Sequence, residues 1–372
     1  MTWTKTLFSQ ALKLKYPIVQ APCAGHTGVE LIAAASNAGG LGSLGAGIMP
    51  ANQLRKTIQD IRLKTQQPFA VNLFCRPTPD PTQEELQRHY DTDDVLDEIR
   101  TELKIPIPEK FELRSPPLED QVKVLLDEGV PVVSFTFGLL PDSILMRLWN
   151  AGTFLIGTAT TKREALVLAG LDPSDPTRKA DAILLQGLEA GGHRGSFLIS
   201  DSQEGQLPIR ELIKEVKEAL GNLQIPVIAA GGLSTGEDVV DVLKQGADGA
   251  ALGTLFMLAK ESITPRAHRE HMLNAKQVDT PQLTQALTGR WARGFPNELM
   301  KRLETQTSIP CYDIHSSKTK DIAAFCTQQG ISDYMLLLSG QNVAKAVEYS
   351  DQGTLSVSEI VDKIAADVGA KL

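Results

Sequence analysis

Short apolar segments alternate with amphipathic helical segments through residues 18–252, and this alternation is the strongest constraint on the fold. The predicted strands cover residues 18–20, 42–44, 69–73, 132–135, 153–157, 182–186, 227–230 and 249–252. Helical patterns at residues 29–38, 52–64, 118–128, 142–150, 162–169, 209–220 and 236–245 lie between them. Strands that are apolar throughout are typical of a parallel sheet buried on both faces. The pattern predicts a (β/α)8 barrel, also called a TIM barrel.

Two segments interrupt this repeat. Residues 76–117 are rich in proline and charge and contain a helical stretch near residues 83–103, so we interpret them as an excursion after the third strand. Further helical patterns follow the last strand, at residues 264–275, 280–287, 320–328 and 356–368. We therefore expect a barrel domain over residues 1–260 and a helical extension over residues 261–372 that packs beside the barrel mouth.

Composition narrows the range of partners. The net charge of −8 argues against nucleic acid and anionic membranes as partners, because both require a surplus of Lys and Arg. The four cysteines form no CxxC or Cys/His cluster, so neither a disulfide framework nor a zinc site is indicated. The sequence has no apolar signal-peptide core and no run long enough to span a membrane. We expect a cytoplasmic protein that acts on small molecules.

The final tripeptide offers a second location. Ala370, Lys371 and Leu372 approximate the Ser-Lys-Leu peroxisomal address, which applies only in a eukaryotic host. Sequence gives no oligomeric state.

The sixth predicted strand opens into a glycine-rich segment, residues 186–195, that delivers one histidine. Gly191 and Gly192 permit a close approach of the backbone to a ligand, and His193 follows them directly. In barrel enzymes, catalytic groups lie at the carboxyl ends of the strands. An imidazole titrates near neutral pH, so His193 is the candidate catalytic base or anion partner.

Glycine also follows the seventh and eighth strands. Gly231 and Gly232 end one strand, and Leu252, Gly253 and Thr254 end the next. These two loops form the usual phosphate site of a barrel, because glycine frees backbone N–H groups to bind an anion. A phosphorylated cofactor is therefore indicated.

Other strand ends suit a planar ring. The first strand ends in Gln20, Ala21, Pro22 and Cys23, whose small and rigid members leave room for a flat cofactor. Asn72 and Gln186 end the third and sixth strands and offer amides to the edge of such a ring. Together with the two glycine loops, these residues describe a site for FMN, and the barrel domain is its expected location.

The same segments resemble the nitronate monooxygenase family, formerly called 2-nitropropane dioxygenase. The resemblance covers residues 16–344 and rests on the segments 16–22, 36–42, 71–74, 186–195, 229–232 and 252–254. The segment 288–294, together with Tyr334 and residues 338–341, resembles the class I motifs of that family. The resemblance implies bound FMN, with Gln341 among its contacts, and oxidation of propionate 3-nitronate or alkyl nitronates by O2 through a flavosemiquinone.

Two alternatives to this function stay open at this point. FMN-dependent enoyl-ACP reductases share the barrel and the Ala-Gly-Gly-His signature, and they would need NAD(P)H. A barrel that binds a phosphorylated metabolite without redox chemistry is the other alternative.

The chain departs from the family pattern at two positions. Cys23 stands where many members have methionine, and Thr136 stands where many have histidine. Thr136 can form hydrogen bonds but cannot act as a base at neutral pH. We expect Thr136 and Tyr334 to contact the substrate, and we expect Arg194 to stabilise its own loop through a salt bridge.

Other histidines are weaker candidates. His268 and His271 have helical spacing but no acidic partner at a convincing distance along the chain, so no metal site is expected.

Overall fold

The computed structural model of this protein describes residues 2–76, 79–198, 206–275 and 280–372. Eight of its strands form one parallel sheet: β1 (Ile18–Gln20), β2 (Gly42–Gly45), β3 (Phe69–Phe74), β4 (Val132–Thr136), β5 (Phe154–Ala159), β6 (Ala182–Gln186), β8 (Val227–Ala230) and β9 (Gly249–Leu252). They are arranged in the order β1-β9-β8-β6-β5-β4-β3-β2. All eight predicted strands are confirmed, and the sheet has the architecture of a TIM barrel.

The barrel closes between β1 and β2 through a short junction. Val19 forms a parallel bridge to Leu41, and the Gln20 N–H donates to the Leu41 carbonyl at 3.0 Å. The buried Gln20 side chain continues the junction: its Oε1 accepts from the Ser43 N–H at 2.9 Å, and its Nε2 donates to the Ser43 carbonyl at 3.2 Å. The Gln20 side chain therefore replaces backbone hydrogen bonds where β1 and β2 diverge.

Helices surround the sheet. The helices that follow the barrel strands are α2 (Val29–Asn37), α3 (Ala51–Lys64), α6 (Leu118–Asp127), α7 (Asp142–Asn150), α8 (Lys162–Ala169), α9 (Ile209–Leu220) and α10 (Gly236–Lys244). The last helix of the chain, α16 (Val357–Gly369), packs against both α10 and α2. It thereby completes the ring of helices, although more than 100 residues separate it from β9.

An apolar layer fills one end of the barrel. Each strand region contributes one buried residue to it: Val19, Leu41, Ala70, Val132, Ile156, Ala182, Ile228 and Ala251. Phe8, from the N-terminal helix α1 (Leu7–Leu12), packs against this layer. Because α1 closes this end with apolar contacts, polar chemistry is left to the opposite end, where the strands terminate in glycines and amides.

The excursion and the extension contain the remaining elements. The excursion holds α4 (Gln83–Gln87) and α5 (Asp91–Leu103), where we predicted a single helical stretch. A short helix, α11 (Thr254–Met257), follows β9 within the barrel domain. The extension then contains α12 (Arg266–Leu273), α13 (Glu298–Leu303), α14 (Tyr312–Gln329), a 3₁₀ turn (Ser332–Tyr334), α15 (Val343–Tyr349) and α16. Helices α13 and α14 pack against α5, so the excursion and the extension contact each other. The division at residue 260 stays a prediction.

The helix predicted at residues 280–287 is wrong. Gln282–Thr284 forms strand β10, which pairs antiparallel with β11 (Ala292–Gly294). Strand β11 in turn pairs with β7 (Gly192–His193), so a small three-stranded sheet crosses the barrel mouth. Strand β7 lies about 100 residues before β11, and the backbone hydrogen bonds of this sheet prevail over a short helical pattern.

No helix in the described part of the chain is long and apolar enough to cross a membrane.

Candidate active site

The loop that follows β6 is held by the amide of Gln186. Its Nε2 donates to the His193 carbonyl at 2.9 Å, and its Oε1 accepts from the Gly195 N–H at 2.8 Å. The backbone on both sides of Arg194 is thus fixed to the end of the barrel strand. Gln186 positions His193 directly, and its contact with a cofactor stays a prediction.

Buried arginines bind the carbonyl groups of the same loop. Arg194, only 2% exposed, donates to the carbonyls of Gly187 and Gln186 and to Gln206 Oε1. Arg293 donates to the Leu188 carbonyl at 2.9 Å. The guanidinium of Arg194 therefore holds the loop as expected, but its partners are neutral oxygens and not a carboxylate. Burial and the neighbouring Arg293 lower the pKa of Arg194 to about 9.

A buried carboxylate holds the far end of the loop. Glu164 on α8 accepts the backbone N–H groups of Thr160, Phe197 and Leu198, at 2.7, 2.6 and 2.9 Å. A charged acceptor on backbone donors forms strong hydrogen bonds. The chain on both sides of His193 is therefore fixed before any ligand binds.

His193 lies on β7 among aromatic rings. Its Nε2 is 2.8 Å from Thr288 Oγ1. The ring packs edge-to-face on Phe137, with centroids 5.7 Å apart, and on Tyr312, at 5.5 Å. Desolvation, followed by the charges of Arg290 and Arg114, lowers the pKa of His193 to about 3. The imidazole is therefore neutral at physiological pH.

Three glycine-rich segments meet at the ends of β8 and β9. Gly231 and Gly232 have φ values of 126° and 66°, which side chains other than glycine rarely adopt. The Asn342 amide donates to the Gly232 carbonyl at 2.7 Å, and the Gly340 N–H donates to Thr254 Oγ1 at 2.9 Å. We call Gly231, Gly232, Gly253, Thr254 and the segment 339–342 the glycine rim.

The glycine rim reaches the His193 loop through Gly191. A Cβ at Gly191 would lie 2.4 Å from the Gly340 nitrogen, so the two backbones touch. The Gln341 N–H donates to the Glu189 carbonyl at 3.1 Å. The structure thus brings the predicted cofactor residues Gly191, Gly231, Gly232, Gly253, Thr254 and Gln341 into one neighbourhood.

Ala21 and Cys23, after β1, border the glycine rim. A Cβ added at Gly253 would lie 3.4 Å from Cys23 Sγ and 3.7 Å from the Ala21 methyl group. The carbonyl of Leu252 accepts from the Ala21 N–H at 2.9 Å, and Pro22 follows at the partly exposed strand end. Burial raises the pKa of Cys23 to about 12, so the thiol stays protonated and acts as a small apolar group.

The amide of Asn72 lies within β3, two residues before the strand ends. Its Nδ2 donates to Ser134 Oγ at 2.9 Å, across to β4. Like Gln20, this predicted cofactor residue forms a bond between neighbouring strands.

The two residues predicted to bind substrate lie apart. Thr136 Oγ1 lies against Gly195, since a Cβ there would be 2.6 Å away, so Thr136 belongs to the His193 neighbourhood. The Tyr334 hydroxyl donates to Glu102 Oε2 at 2.9 Å, on the side of α5. The ring and hydrogen-bond contacts of His193 described above involve Thr288, Phe137 and Tyr312, not Tyr334.

Four residues around His193 were missing from the predicted site: Phe74, Phe137, Thr288 and Tyr312. Phe74 and Thr288 belong to segments that carried the family resemblance, so their positions were within reach of the sequence. Tyr312 begins α14, where no helix was predicted before residue 320.

Two other histidines form a buried pair next to Cys23, whose carbonyl accepts from the His26 N–H at 2.9 Å. His26 and His268 pack edge-to-face with ring centroids 5.0 Å apart, and desolvation lowers the pKa of both. Among the described residues, no group of three or more His, Cys, Asp or Glu is arranged to hold a metal ion.

Comparison with known proteins decides the family. The family model described as nitronate monooxygenase matches residues 5–367. This chain belongs to the nitronate monooxygenase family. A probable nitronate monooxygenase of Staphylococcus aureus strain MSSA476 is 34% identical over 371 residues, covering 97% of this chain and 98% of the relative. The corresponding protein of strain JH9 is 33% identical over 363 residues.

Solved structures agree with this family. A nitroalkane oxidase from Streptomyces ansochromogenes superposes with a TM-score of 0.83 at 32% identity and covers 98% of both chains. FabK from Thermotoga maritima has a TM-score of 0.73 at 24% identity, covering 99% of this chain and 97% of its own, and shows the fold alone. The protein is thus a flavin-dependent oxidoreductase of the nitronate monooxygenase family, and the non-redox alternative is set aside.

Proposed function

We propose that the protein binds FMN and uses O2 to oxidise alkyl nitronates, propionate 3-nitronate among them. The observation that carries this proposal is the place of His193: its ring is enclosed by Phe137 and Tyr312, and its loop touches the glycine rim through Gly191. The charges of Arg290 and Arg114 also act on this ring. Such a site favours a substrate that arrives as an anion.

The residues present fit FMN. Positive φ angles at Gly231 and Gly232 shape a backbone surface suited to a phosphate, and Ala21 and Cys23 present small groups beside it. Ser339 Oγ is buried and has no hydrogen-bond partner in the described structure. A buried hydroxyl without a partner is unfavourable, so a bound polar group would stabilise it. When bound, FMN supplies the group that accepts electrons from the substrate and passes them to oxygen.

His193 is suited to hold an anion. Thr288 contacts Nε2, and Nδ1 makes no hydrogen bond within the described part of the chain. If the Thr288 hydroxyl donates to Nε2, the proton of the neutral ring lies on Nδ1, where it can bind a nitronate oxygen. If the hydroxyl accepts instead, Nδ1 carries a lone pair and can remove a proton.

The lowered pKa of His193 makes the second role inefficient. A general base works best when its pKa is close to the working pH, and that of His193 is about 3. The positive charges of Arg290 and Arg114 disfavour a protonated imidazole. The same charges attract an anionic substrate. Nitronates should therefore be much better substrates than the neutral nitroalkanes from which they form.

Oxygen consumption tests this proposal. Purified protein is mixed with freshly prepared nitroethane or with its preformed nitronate, and with propionate 3-nitronate. We expect kcat/KM for the nitronates to exceed that for neutral nitroethane by about 100-fold or more, because general base catalysis contributes ~10²–10⁴ when it is efficient. Equal values would contradict the anion-binding role of His193, and no oxygen uptake with any nitronate would overturn the function.

A further inference from the structure

Phe137 has an unusual backbone conformation beside the candidate site. Its φ is +74°, in the left-handed region that bulky residues rarely adopt. Lys13 and Lys104, two of the other residues with positive φ other than glycine, are C-caps of surface helices, where this conformation is common. Phe137 instead follows a barrel strand and is only 4% exposed. Strain of this kind persists only where the surroundings hold it, and it concentrates at functional sites.

Contacts on several sides hold Phe137 in place. Its ring lies 4.3 Å from that of Phe74 and 4.1 Å from the guanidinium of Arg290. Its N–H donates to the Gly195 carbonyl at 3.4 Å. A Cβ at Gly138 would lie 2.1 Å from the Cys75 carbonyl oxygen, so the following backbone is pressed against the end of β3.

The ring of Phe137 joins two others around His193. Tyr312 lies 5.5 Å from Phe137 and 5.5 Å from His193, and 6.3 Å from Phe74. The three rings come from the ends of β3 and β4 and from the start of α14. We call Phe74, Phe137 and Tyr312 the aromatic enclosure. Phe137 and Tyr312 pack edge-to-face on the imidazole, and Phe74 supports them through a tilted contact with Phe137 and an edge-to-face contact with Tyr312.

We propose that the aromatic enclosure limits the size of the substrate at His193, and that Phe137 is the residue that sets this limit. This inference rests on the proposed function. A nitronate that binds His193 must direct its carbon chain along these rings. Because Phe137 is packed between Phe74 and Arg290, it cannot turn aside for a longer chain. The site therefore selects short nitronates.

Substitution of Phe137 tests this inference. Phe137→Gly removes the ring and tolerates a positive φ, so the backbone need not change. Phe74→Leu reduces the enclosure without touching the unusual backbone, and it serves if Phe137→Gly does not fold. The matched control is Phe154→Leu, which replaces an aromatic residue at the opposite end of the barrel, where β5 begins.

The measurement is kcat/KM for the nitronates of nitroethane, nitrobutane and nitrohexane, with flavin content recorded for each variant. In the parent protein we expect kcat/KM to fall as the chain lengthens. In Phe137→Gly the ratio of nitrohexane to nitroethane nitronate should rise by about tenfold or more, the scale on which one methylene is discriminated in an apolar pocket. Phe74→Leu should raise it less, and Phe154→Leu should leave it unchanged.

Two failures are distinguishable. If the parent protein oxidises no nitronate, the proposed function is wrong. If the parent oxidises nitronates but neither Phe137→Gly nor Phe74→Leu changes the ratio, the function stands and the size limit is overturned.

Discussion

The two sides of the candidate site are built from different parts of the chain. The glycine rim consists of backbone, with Gly231 and Gly232 in conformations that exclude most side chains. The aromatic enclosure consists of side chains, and one of them distorts its own backbone to be there. A backbone surface suits a phosphorylated cofactor, because free N–H groups bind an anion, whereas side chains shape the space beside the reacting group. We infer that the glycine rim serves the cofactor and the enclosure serves the substrate.

The largest expected effect lies on the enclosure side. His193→Ala should retain flavin and lose about 10–100-fold in kcat/KM on preformed nitronates, because a hydrogen bond to a charged group contributes about 1.5–3 kcal/mol. Neutral nitroalkanes should lose no more than this, because His193 is an inefficient base at its lowered pKa. Steady-state oxygen uptake with both substrate forms measures the two losses. A larger loss on neutral nitroalkanes than on nitronates would contradict the anion-binding role and favour a base.

A buried histidine next to the aromatic enclosure should make the protein less stable in acid. His315 on α14 is fully buried, its Nε2 lies 2.8 Å from the Ala286 carbonyl oxygen, and desolvation lowers its pKa to about 4. At pH values between about 4 and 6.5, His315 binds a proton in the unfolded chain but not in the folded chain. The contribution of His315 to stability is therefore complete above pH 6.5 and is lost as the pH falls below it.

Urea unfolding at pH 6 and pH 5 measures this loss. His315→Gln should reduce the slope of unfolding free energy against pH by about 1.4 kcal/mol per pH unit relative to the parent. His89→Gln is the control, because the side chain of His89 is 68% exposed. An unchanged slope in His315→Gln would show that this histidine does not govern acid stability.

Substitution on the glycine rim should have a smaller effect. A comparison of two glycines separates the steric effect of an added Cβ from backbone strain. Gly232→Ala strains a φ of +66° and brings a Cβ within 2.9 Å of Glu189 Cβ and 3.0 Å of Asn342 Nδ2. Gly129→Ala strains a similar φ of +54° but meets open space. Both should lose about 1 kcal/mol or more of stability from strain.

Only the change on the rim should also lower the flavin-to-protein ratio of the purified enzyme. The visible absorbance spectrum measures this ratio. If Gly129→Ala lost as much flavin as Gly232→Ala, the rim would have no special role in binding the cofactor.

The barrel and the rim could be predicted from sequence, whereas the enclosure could not. Continuous apolar strands and glycine pairs are local patterns, and they placed the eight strands and the two loops correctly. The start of α14 was missed because residues such as His315, Ser316 and Lys318 are polar yet buried. Their partners lie in distant segments: Ala286 for His315, and Asp93 for Lys318.

The aromatic enclosure shows the same limit of prediction from sequence. Phe74, Phe137 and Tyr312 lie in three separate segments, and only folding brings their rings together. The positive φ of Phe137 has no signal in the sequence, since the residue type argues against it. The amides of Gln20, Asn72 and Gln186 show the converse. Their type and place were anticipated, but the structure engages them with neighbouring strands and loops.

Anaerobic mixing tests the central claim most directly. Flavin-loaded protein is mixed without oxygen, in separate experiments, with propionate 3-nitronate and with NADPH, while the visible absorbance of the flavin is followed. The account predicts a rapid spectral change with the nitronate and none with NADPH on the same time scale. Rapid bleaching by NADPH with no response to the nitronate would contradict it and would favour a reductase of the enoyl-ACP type.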